Sequence, residues 1–447
     1  MVHAITTRNR EQELAPDLGS GLPRAWQSWP RASEELTAGG PDPEEASEHD
    51  VRAYAADKPW VWTGETLYFF CDVHADAGAF FRSLVASGGV VGVPGDELAF
   101  ELTERGRDAT FLIGGDCFDK GPHNLRLLGV LRRLIDQGAR VKILAGNHDI
   151  RTYVGLAYVG RKETHLAHLF VRMGKKTMRL VEEVWREYLE GNVDPATLLP
   201  DDEVRRIVFP PESWYEEFPR VAGRWINAKK LGKEITRIRE KTADLEAFFQ
   251  GQRMTFGMAY AAVQKCRELF LEPDGEFAWV FRDMVLAHRV GSVLFVHAGV
   301  DDVVADALRR DGVQSLNDWF RRLIAEDELF ELYNGPVGNA VRTKYRDIDL
   351  PLTERGAASL RAAGVYAIVH GHKNILRGQR LVLRKGVLNF ECDASIDANT
   401  RVLEGLSGPG TAVTVFRPDA RILAVSSDYP YVKVFDPAEL CPSVIIA

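Results

Sequence analysis

The sequence predicts an α/β fold of two packed, mixed β-sheets flanked by helices, interrupted by a largely helical insertion. Three observations lead there. Short apolar runs rich in Val, Ile, Phe and Leu recur at residues 67–71, 109–113, 141–144, 292–296 and 365–369, each closed by Gly, Asp or His. Runs of that length and composition suit buried strands. Helical stretches at 79–87 and 124–137 separate the first three, whereas runs at 380–383, 387–391, 411–417 and 421–426 follow one another directly. Strand–helix alternation followed by strand upon strand calls for two sheets rather than one parallel sheet. Residues 155–285 differ again: stretches 166–189 and 231–249 have helical spacing and i,i+4 charge pairs, joined by an acidic, proline-bearing link at 194–211.

Taken in order, residues 1–57 read as an acidic, flexible or loosely docked extension, mixing Pro, Gly, Ser and acid around Trp26 and Trp29. Residues 58–154 and 286–447 read as one catalytic domain in two pieces, and 155–285 as a helical insertion placed to act as a lid. The chain has 447 residues, long enough for a sizeable core and two or three domains. Its formal charge is −8, and residues 1–50 hold ten Asp/Glu against four Lys/Arg, so bulk binding to nucleic acid is not expected. No uninterrupted apolar stretch approaches a membrane span, and the charged start, with Arg8, Arg10, Glu11 and Glu13, does not read as a secretory signal. The five scattered cysteines, Cys71, Cys117, Cys266, Cys392 and Cys441, have no C-x-x-C spacing. They fit neither a thiolate zinc knuckle nor a disulfide framework, and a reducing cytoplasmic setting is expected.

The chemistry sits directly after the strands. Asp72-Val73-His74 follows the first, Gly115-Asp116-Cys117-Phe118-Asp119-Lys120-Gly121-Pro122 the second and Gly146-Asn147-His148-Asp149 the third; His297-Ala298-Gly299 follows the fourth and Gly371-His372 the fifth. Strand ends along one sheet edge open into one crevice, so five motifs can converge on one site. Asp, Asn and neutral His offer oxygen and nitrogen ligands suited to Mn, Fe or Zn. A carboxylate such as Asp116 can bridge two cations, and two metals can clamp the attacking and leaving oxygens of a phosphoryl transfer.

In these five motifs, over residues 66–154 and 286–400, the sequence resembles the calcineurin-like metallophosphoesterases. It is most similar there to the phosphoprotein-phosphatase branch, with its D-x-H, G-D-x-x-D-R-G, G-N-H-E, H-G/A-G and G-H. The resemblance implies that Asp72, His74 and Asp116 hold a first metal and that Asp116, Asn147, His297 and His372 hold a second. It implies that His148, oriented by Asp119, gives a proton to the leaving oxygen, and that a metal-bound hydroxide attacks the phosphorus. Two divalent or trivalent ions are implied, with Mn foremost and Fe or Zn as alternatives. The implied activity is hydrolysis of phosphomonoesters, foremost on phosphorylated protein side chains. A nucleotide pyrophosphohydrolase of the diadenosine tetraphosphatase kind is the alternative, and a non-catalytic phospho-ligand binding protein is a third reading, which the complete ligand set, His148 and Asp119 oppose.

Three departures stand out. Lys120 replaces the branch's Arg, Asp149 its Glu, and Asn374 stands where nuclease-like members of the superfamily have a second His. A Lys is a point charge where Arg is a fork, so a phosphate grip by Lys120 would be less directional. Asn147 and a late arginine, Arg342 with Arg346 behind it, are expected to complete that grip. Cys71 and Cys117 read as buried small hydrophobes, His165 and His168 as structural, His123 and His370 as neighbours of the site, and Asp393 as a brace. Residues 220–241 hold eight basic residues against two acidic ones, which reads as a solvated helix face or as a lid attracting an anionic substrate.

Overall fold

The computed structural model of the chain describes residues 22–31, 45–62, 64–93, 95–223, 226–251, 254–441 and 444–446. Its strands are, in order, β1 (Ala25–Ser28), β2 (Trp60–Trp62), β3 (Leu67–Phe70), β4 (Val90–Gly92), β5 (Phe100–Leu102), β6 (Thr110–Ile113), β7 (Arg140–Ile143), β8 (Ala287–Val290) and β9 (Val293–Val296). There follow β10 (Ala367–His370), β11 (Arg380–Arg384), β12 (Val387–Glu391), β13 (Ala412–Phe416), β14 (Ile422–Ser426), β15 (Tyr431–Phe435) and β16 (Val444–Ile446). One sheet runs β1-β15-β14-β13-β3-β6-β7 and the other β11-β12-β10-β9-β8, while β16-β2 and β4-β5 form small pairs. Both large sheets are mixed. β3, β6 and β7 pair in parallel, as do β9, β10 and β12, whereas β13, β14, β15 and β11 join antiparallel.

Side-chain alternation decides how the sheets stack. Leu67, Phe69 and Leu112 of the larger sheet share one buried cluster with Val293, Phe295, Ala367, Val369, Leu388 and Phe390 of the smaller. Phe295 crosses between the sheets to meet Phe69 and Phe416, with ring centroids 5.6 and 5.0 Å apart. The alternate residues, Tyr68, Phe70, Phe111 and Ile113 on one side and Leu294, Val296 and Ile368 on the other, pack outward with the helices. The result is helices outside, two sheets inside.

The N-terminal extension, read as flexible or loosely docked, carries ordered structure where it is described. β1 pairs in parallel with β15 at the sheet edge, and Trp29 is fully buried, edge-on to Phe390 at 5.3 Å. Helix Glu48–Ala55 begins on a Ser47–Asp50 capping box and buries Val51 and Ala55. Its Tyr54 hydroxyl donates to the Tyr366 carbonyl at 2.6 Å. A large aromatic ring buried among the sheets outweighs the polar composition that suggested a loose tail. Residues 1–21 and 32–44 lie outside the described residues.

Between β7 and β8 the described residues form helices and turns. The stretch expected to be helical over 166–189 is broken at Gly174, whose φ of +76° splits Leu169–Met173 from Met178–Val184. The acidic link at 194–211 instead contains helix Asp201–Val208. Asp201, Asp202 and Glu203 stand in its first turn, where the helix dipole favours them, and Val204 and Val208 bury one face. Ala228–Gly251 is one long helix. The insertion grips the core: Glu183 accepts from the backbone N–H of Asn124 and Leu125 at 3.0 Å, and Arg179 donates to the carbonyls of Lys120 and Gly121 at 2.9 Å. The loop that follows β6 is thereby held from outside. All five cysteines are buried and free, and no helix of the described residues is long and apolar enough to cross a membrane.

Candidate metal centre

Each motif leaves the carboxyl end of a parallel strand: Asp72 and His74 after β3, Asp116 and Asp119 after β6, Asn147 after β7, His297 after β9 and His372 after β10. The two sheets meet at these ends. The Gly371 N–H donates to the His297 carbonyl, and the His372 N–H to Asp72 Oδ2, both at 2.9 Å. The backbone is contorted to achieve this. Asp72, His74, Asp116, Asp119, Lys120 and His372 all have φ between +42° and +70°. Non-glycine residues in that region carry strain and gather at functional sites. Gly371 has no substitute here, because a Cβ would collide with the Asp72 carboxylate.

Asp116 lies at the centre. Its Oδ2 is 3.8 Å from both His74 Nε2 and His148 Nε2, while its Oδ1 is 3.4 Å from His297 Nε2. A ligand atom from each of His74, Asp116 and His148 lies within 4.8 Å of the others, and so it is for Asp116, His297 and His372. The two groups could each hold a cation and share Asp116. Asp72 Oδ1 joins the first side, 3.7 Å from His74 Nε2, and Asn147 Oδ1 the second, 3.3 Å from His297 Nε2.

The ring orientations suit metal ligation. His297 presents Nδ1 to the Gly114 carbonyl at 2.7 Å and His74 presents Nδ1 to the Phe118 carbonyl at 3.4 Å. A proton held on Nδ1 by a carbonyl leaves Nε2 as the lone-pair donor, the usual arrangement of a ligating imidazole. His372 is turned the other way: its Nε2 faces the Arg342 carbonyl at 3.0 Å, leaving Nδ1 for the centre.

Electrostatics favour a cation too. Burial raises the Asp72 pKa to about 6 against the pull of His297, and Asp116 adds to the rise. Burial also raises Asp393 well above its usual value, with Asp72 adding to it, and its Oδ2 has no hydrogen-bond partner among the described residues. Burial would lower His297, yet the Asp116 carboxylate holds it at about 10. These carboxylates also attract a lysine. Lys120 Nζ lies 2.7 Å from His74 Nε2, and although burial disfavours its charge, Asp393, Asp116 and Asp72 raise its pKa. The ammonium stands in for a cation among oxygen and nitrogen donors. The donor set therefore fits divalent metal ions.

Lys120, expected to grip phosphate, thus faces the ligands and does not line the cleft described below. Arg342 does line it, as does a second guanidinium that went unnoticed in the sequence. Arg151, three residues beyond His148 on helix Asn147–Ala157, donates to Asp119 Oδ2 and lies 2.6 Å from His148 Nδ1. An i,i+3 reading from the G-N-H-D motif would have found it. Arg151, Arg342 and Asn147 line a small pocket of about 50 Å³ beside the centre. His148 Nδ1 lies 2.8 Å from Asp119 Oδ2, so its Nε2 faces the site. Burial lowers the His148 pKa while Asp116 opposes that shift; burial would raise Asp119, but the His148 contact and Arg151 pull it below its usual range.

Asp149 organises this arrangement. Its Oδ2 accepts from the N–H of Asp116 and Gly146, and its Oδ1 from Cys117 and Phe118, at 2.8 to 3.3 Å. Asp393 is buried beside Asp72 and accepts from the Ser395 N–H at 3.1 Å. His123 caps helix Asn124–Asp136 and faces Glu183 at 3.2 Å, apart from the centre, while His370 is fully buried 3.8 Å from Glu391. His165 packs on Phe330, and His168 is buried between Trp214 and Phe218. Arg346 is exposed and paired with Asp349 at 3.2 Å.

A larger cleft of about 630 Å³ opens from Asn147, Arg151, Arg342 and His372 and runs between helix Ala228–Gly251 and the loop carrying Arg342. Its lining holds ten Lys and Arg against three carboxylates. Of the basic stretch 220–241, Lys233, Arg237 and Lys241 line it, whereas Lys229 is exposed and does not. The side chain of Lys230 lies outside the described residues.

No curated protein matches the chain. Among solved structures it is similar to a cold-active protein tyrosine phosphatase, 16% identical, covering 83% of this chain and 79% of that one with a TM-score of 0.42. It is also similar to a protein serine/threonine phosphatase from Saccharomyces cerevisiae with similarity to human phosphatase PP5, 10% identical, covering 87% of each chain with a TM-score of 0.37. The phosphatase domain of the Legionella effector WipB is 13% identical, covering 64% of this chain and 95% of that one with a TM-score of 0.30. Residues 67–231 match the family model of the calcineurin-like phosphoesterases. That match spans the loops bearing Asp72, His74, Asp116 and Asn147, and the chain carries a calcineurin-like phosphoesterase domain.

Proposed function

We propose that the chain is a metal-dependent hydrolase of phosphomonoesters with a dinuclear centre. The observation that carries this reading is Asp116: one oxygen turns toward His74 and His148 and the other toward His297. In it, Asp72, His74 and Asp116 hold one divalent ion and Asp116, Asn147, His297 and His372 the other, with manganese foremost and iron or zinc as alternatives. Bound there, the two cations supply Lewis-acid charge to a phosphoryl group and lower the pKa of water.

The chain's own groups do the rest. Arg151 and Arg342 face one small pocket with Asn147 and grip the non-reacting phosphoryl oxygens, two planar forks where a fork matches phosphate geometry. His148 holds a proton at Nε2 for the leaving oxygen, with its ring fixed by Asp119 at Nδ1. Although His148 Nε2 stands near Asp116, the charged Asp119–Arg151 pair behind the ring suits an acid that turns over a proton rather than a fixed ligand. Asp149 keeps the loop of Asp116 in place through four backbone N–H groups.

Phosphate release from p-nitrophenyl phosphate, phosphopeptides and diadenosine tetraphosphate, each with added manganese, iron or zinc, tests this reading. Metal-dependent monoester hydrolysis, abolished by chelation and restored by metal, is expected. An inert protein on all three substrates with every metal would overturn it. The phosphopeptide and dinucleotide arms separate the two substrate classes that the sequence leaves open.

A further inference from the structure

A monoester needs only the pocket shared by Arg151 and Arg342. The larger cleft extends past it, and its cations are not used up within the protein. Arg172 is paired with Glu234, Lys175 with Asp244 and Arg346 with Asp349. Lys176, Lys233, Arg237, Lys241 and Lys344 also line the cleft, and none of them has an ion-pair partner among the described residues. Lys233, Arg237 and Lys241 recur at i,i+4 along helix Ala228–Gly251. Eight residues at helical rise set the ends of that row ~12 Å apart, well beyond the reach of a single phosphate group. The crowding has a local signature: burial lowers the Lys241 pKa to about 8, and Arg151 and Arg172 contribute to the shift. A volume of about 630 Å³ lies within the roughly 300–1,000 Å³ typical of small-molecule sites. Phe218, Ile226, Phe330 and Tyr333 give it apolar wall.

We infer that the cleft binds a small molecule carrying further phosphate groups beyond the one that is cleaved, with the row Lys233–Arg237–Lys241 engaging them. This rests on the monoesterase reading above and names its substrate class. The reacting phosphoryl group lies between Arg151 and Arg342, and the remaining phosphates lie along the insertion helix. The insertion then selects the substrate while the strand-end loops cleave it. An acidic phosphopeptide is the competing occupant; a volume of about 630 Å³, within the small-molecule range, favours the small molecule.

The test is competition by inorganic tripolyphosphate and by orthophosphate against p-nitrophenyl phosphate turnover, at fixed free manganese, in the full chain. Tripolyphosphate is expected to compete at least about tenfold more tightly, the scale of one charge-assisted hydrogen bond. In the double variant Lys233→Gln/Arg237→Gln its inhibition constant should rise about tenfold or more, while that of orthophosphate shifts less than about twofold. Lys229→Gln, one turn before Lys233 on the same helix row but outside the cleft lining, should change neither constant. Chelation by tripolyphosphate is common to parent and variants, and the orthophosphate constant reports an intact site. Equal competition by the two anions in the parent, or a tripolyphosphate constant indifferent to the double variant, would overturn the inference. So would a phosphopeptide with acidic flanks whose KM the double variant raises while tripolyphosphate inhibition stays put. If the parent does not hydrolyse p-nitrophenyl phosphate, the monoesterase reading falls alone; calorimetric titration of tripolyphosphate into parent and double variant then decides the cleft by the same ratio.

Discussion

The strand-end loops and the insertion wall face each other across one opening, and they are built from opposite charge. The loops bury carboxylates, with Asp72, Asp116, Asp149 and Asp393 each no more than 2% exposed. The wall displays cations, among which Lys233 and Arg237 are exposed and make no ion pair within 4 Å among the described residues. A buried carboxylate without a counter-cation is costly, so the loops call for metal. A cation in water costs little, and a row of them gathers anions at long range. On the function proposed above, the contrast separates two tasks: acid-rich loops fixed by strained backbone for chemistry, and a basic helix for selection.

That division can be broken at its strongest point first. Asp116→Asn removes the charge shared by both ligand groups, and turnover on every substrate should fall below detection in phosphate-release assays. Substantial residual turnover would mean that the loops do not depend on a shared cation ligand. His148→Ala comes next, with a loss of roughly 10²–10⁴ in kcat on phosphoserine peptides. The loss should be smaller on p-nitrophenyl phosphate, whose leaving group scarcely needs a proton, and equal losses on both would remove His148 from the proton-donor role.

Arg151→Ala and Arg342→Ala sharpen the boundary between the two regions, because both arginines stand where loops and cleft meet. Each should cost about 10- to 100-fold in kcat/KM on a monoester, the scale of a lost charge-assisted contact. Lysine replacements should recover only part of it. Steady-state kinetics showing a loss for Arg342→Ala alone would leave Arg151 as a support for Asp119. The smallest effect concerns stability. Chelating the metal should lower the melting temperature by a few degrees, since ligands bound to the native state stabilise it by mass action and the crowded carboxylates lose their counter-cation. Calorimetry of the parent and of Asp116→Asn, which should respond less to chelator, checks this.

The loops were legible in the sequence because their chemistry is local. A strand run followed at once by Asp72-Val73-His74 or Gly146-Asn147-His148-Asp149 states both the element and its candidate ligands within a few residues. The two sheets followed from the order of the elements, strand–helix alternation and then strand upon strand, whereas the face each residue of Leu67–Phe70 takes did not, because all four are apolar and buried. The wall was legible only as a basic stretch. Which of its lysines face the cleft depends on how helix Ala228–Gly251 docks, and that choice separates Lys233 from Lys229 although both carry the same charge. Lys120 depends on its surroundings for a related reason: its position in the motif suggests phosphate, and without a metal the carboxylates around it draw its ammonium onto His74. The buried Trp29 shows the same limit, because a lone aromatic in a polar segment reveals its destination only through β15 and Phe390.

The central claim is that two metal ions share Asp116. Metal content by mass spectrometry, after manganese loading and desalting, tests it most directly when parent and Asp116→Asn are compared side by side. The account predicts two ions per chain in the parent and at most one in the variant. A parent that never exceeds one ion, or a variant that keeps two, would contradict it.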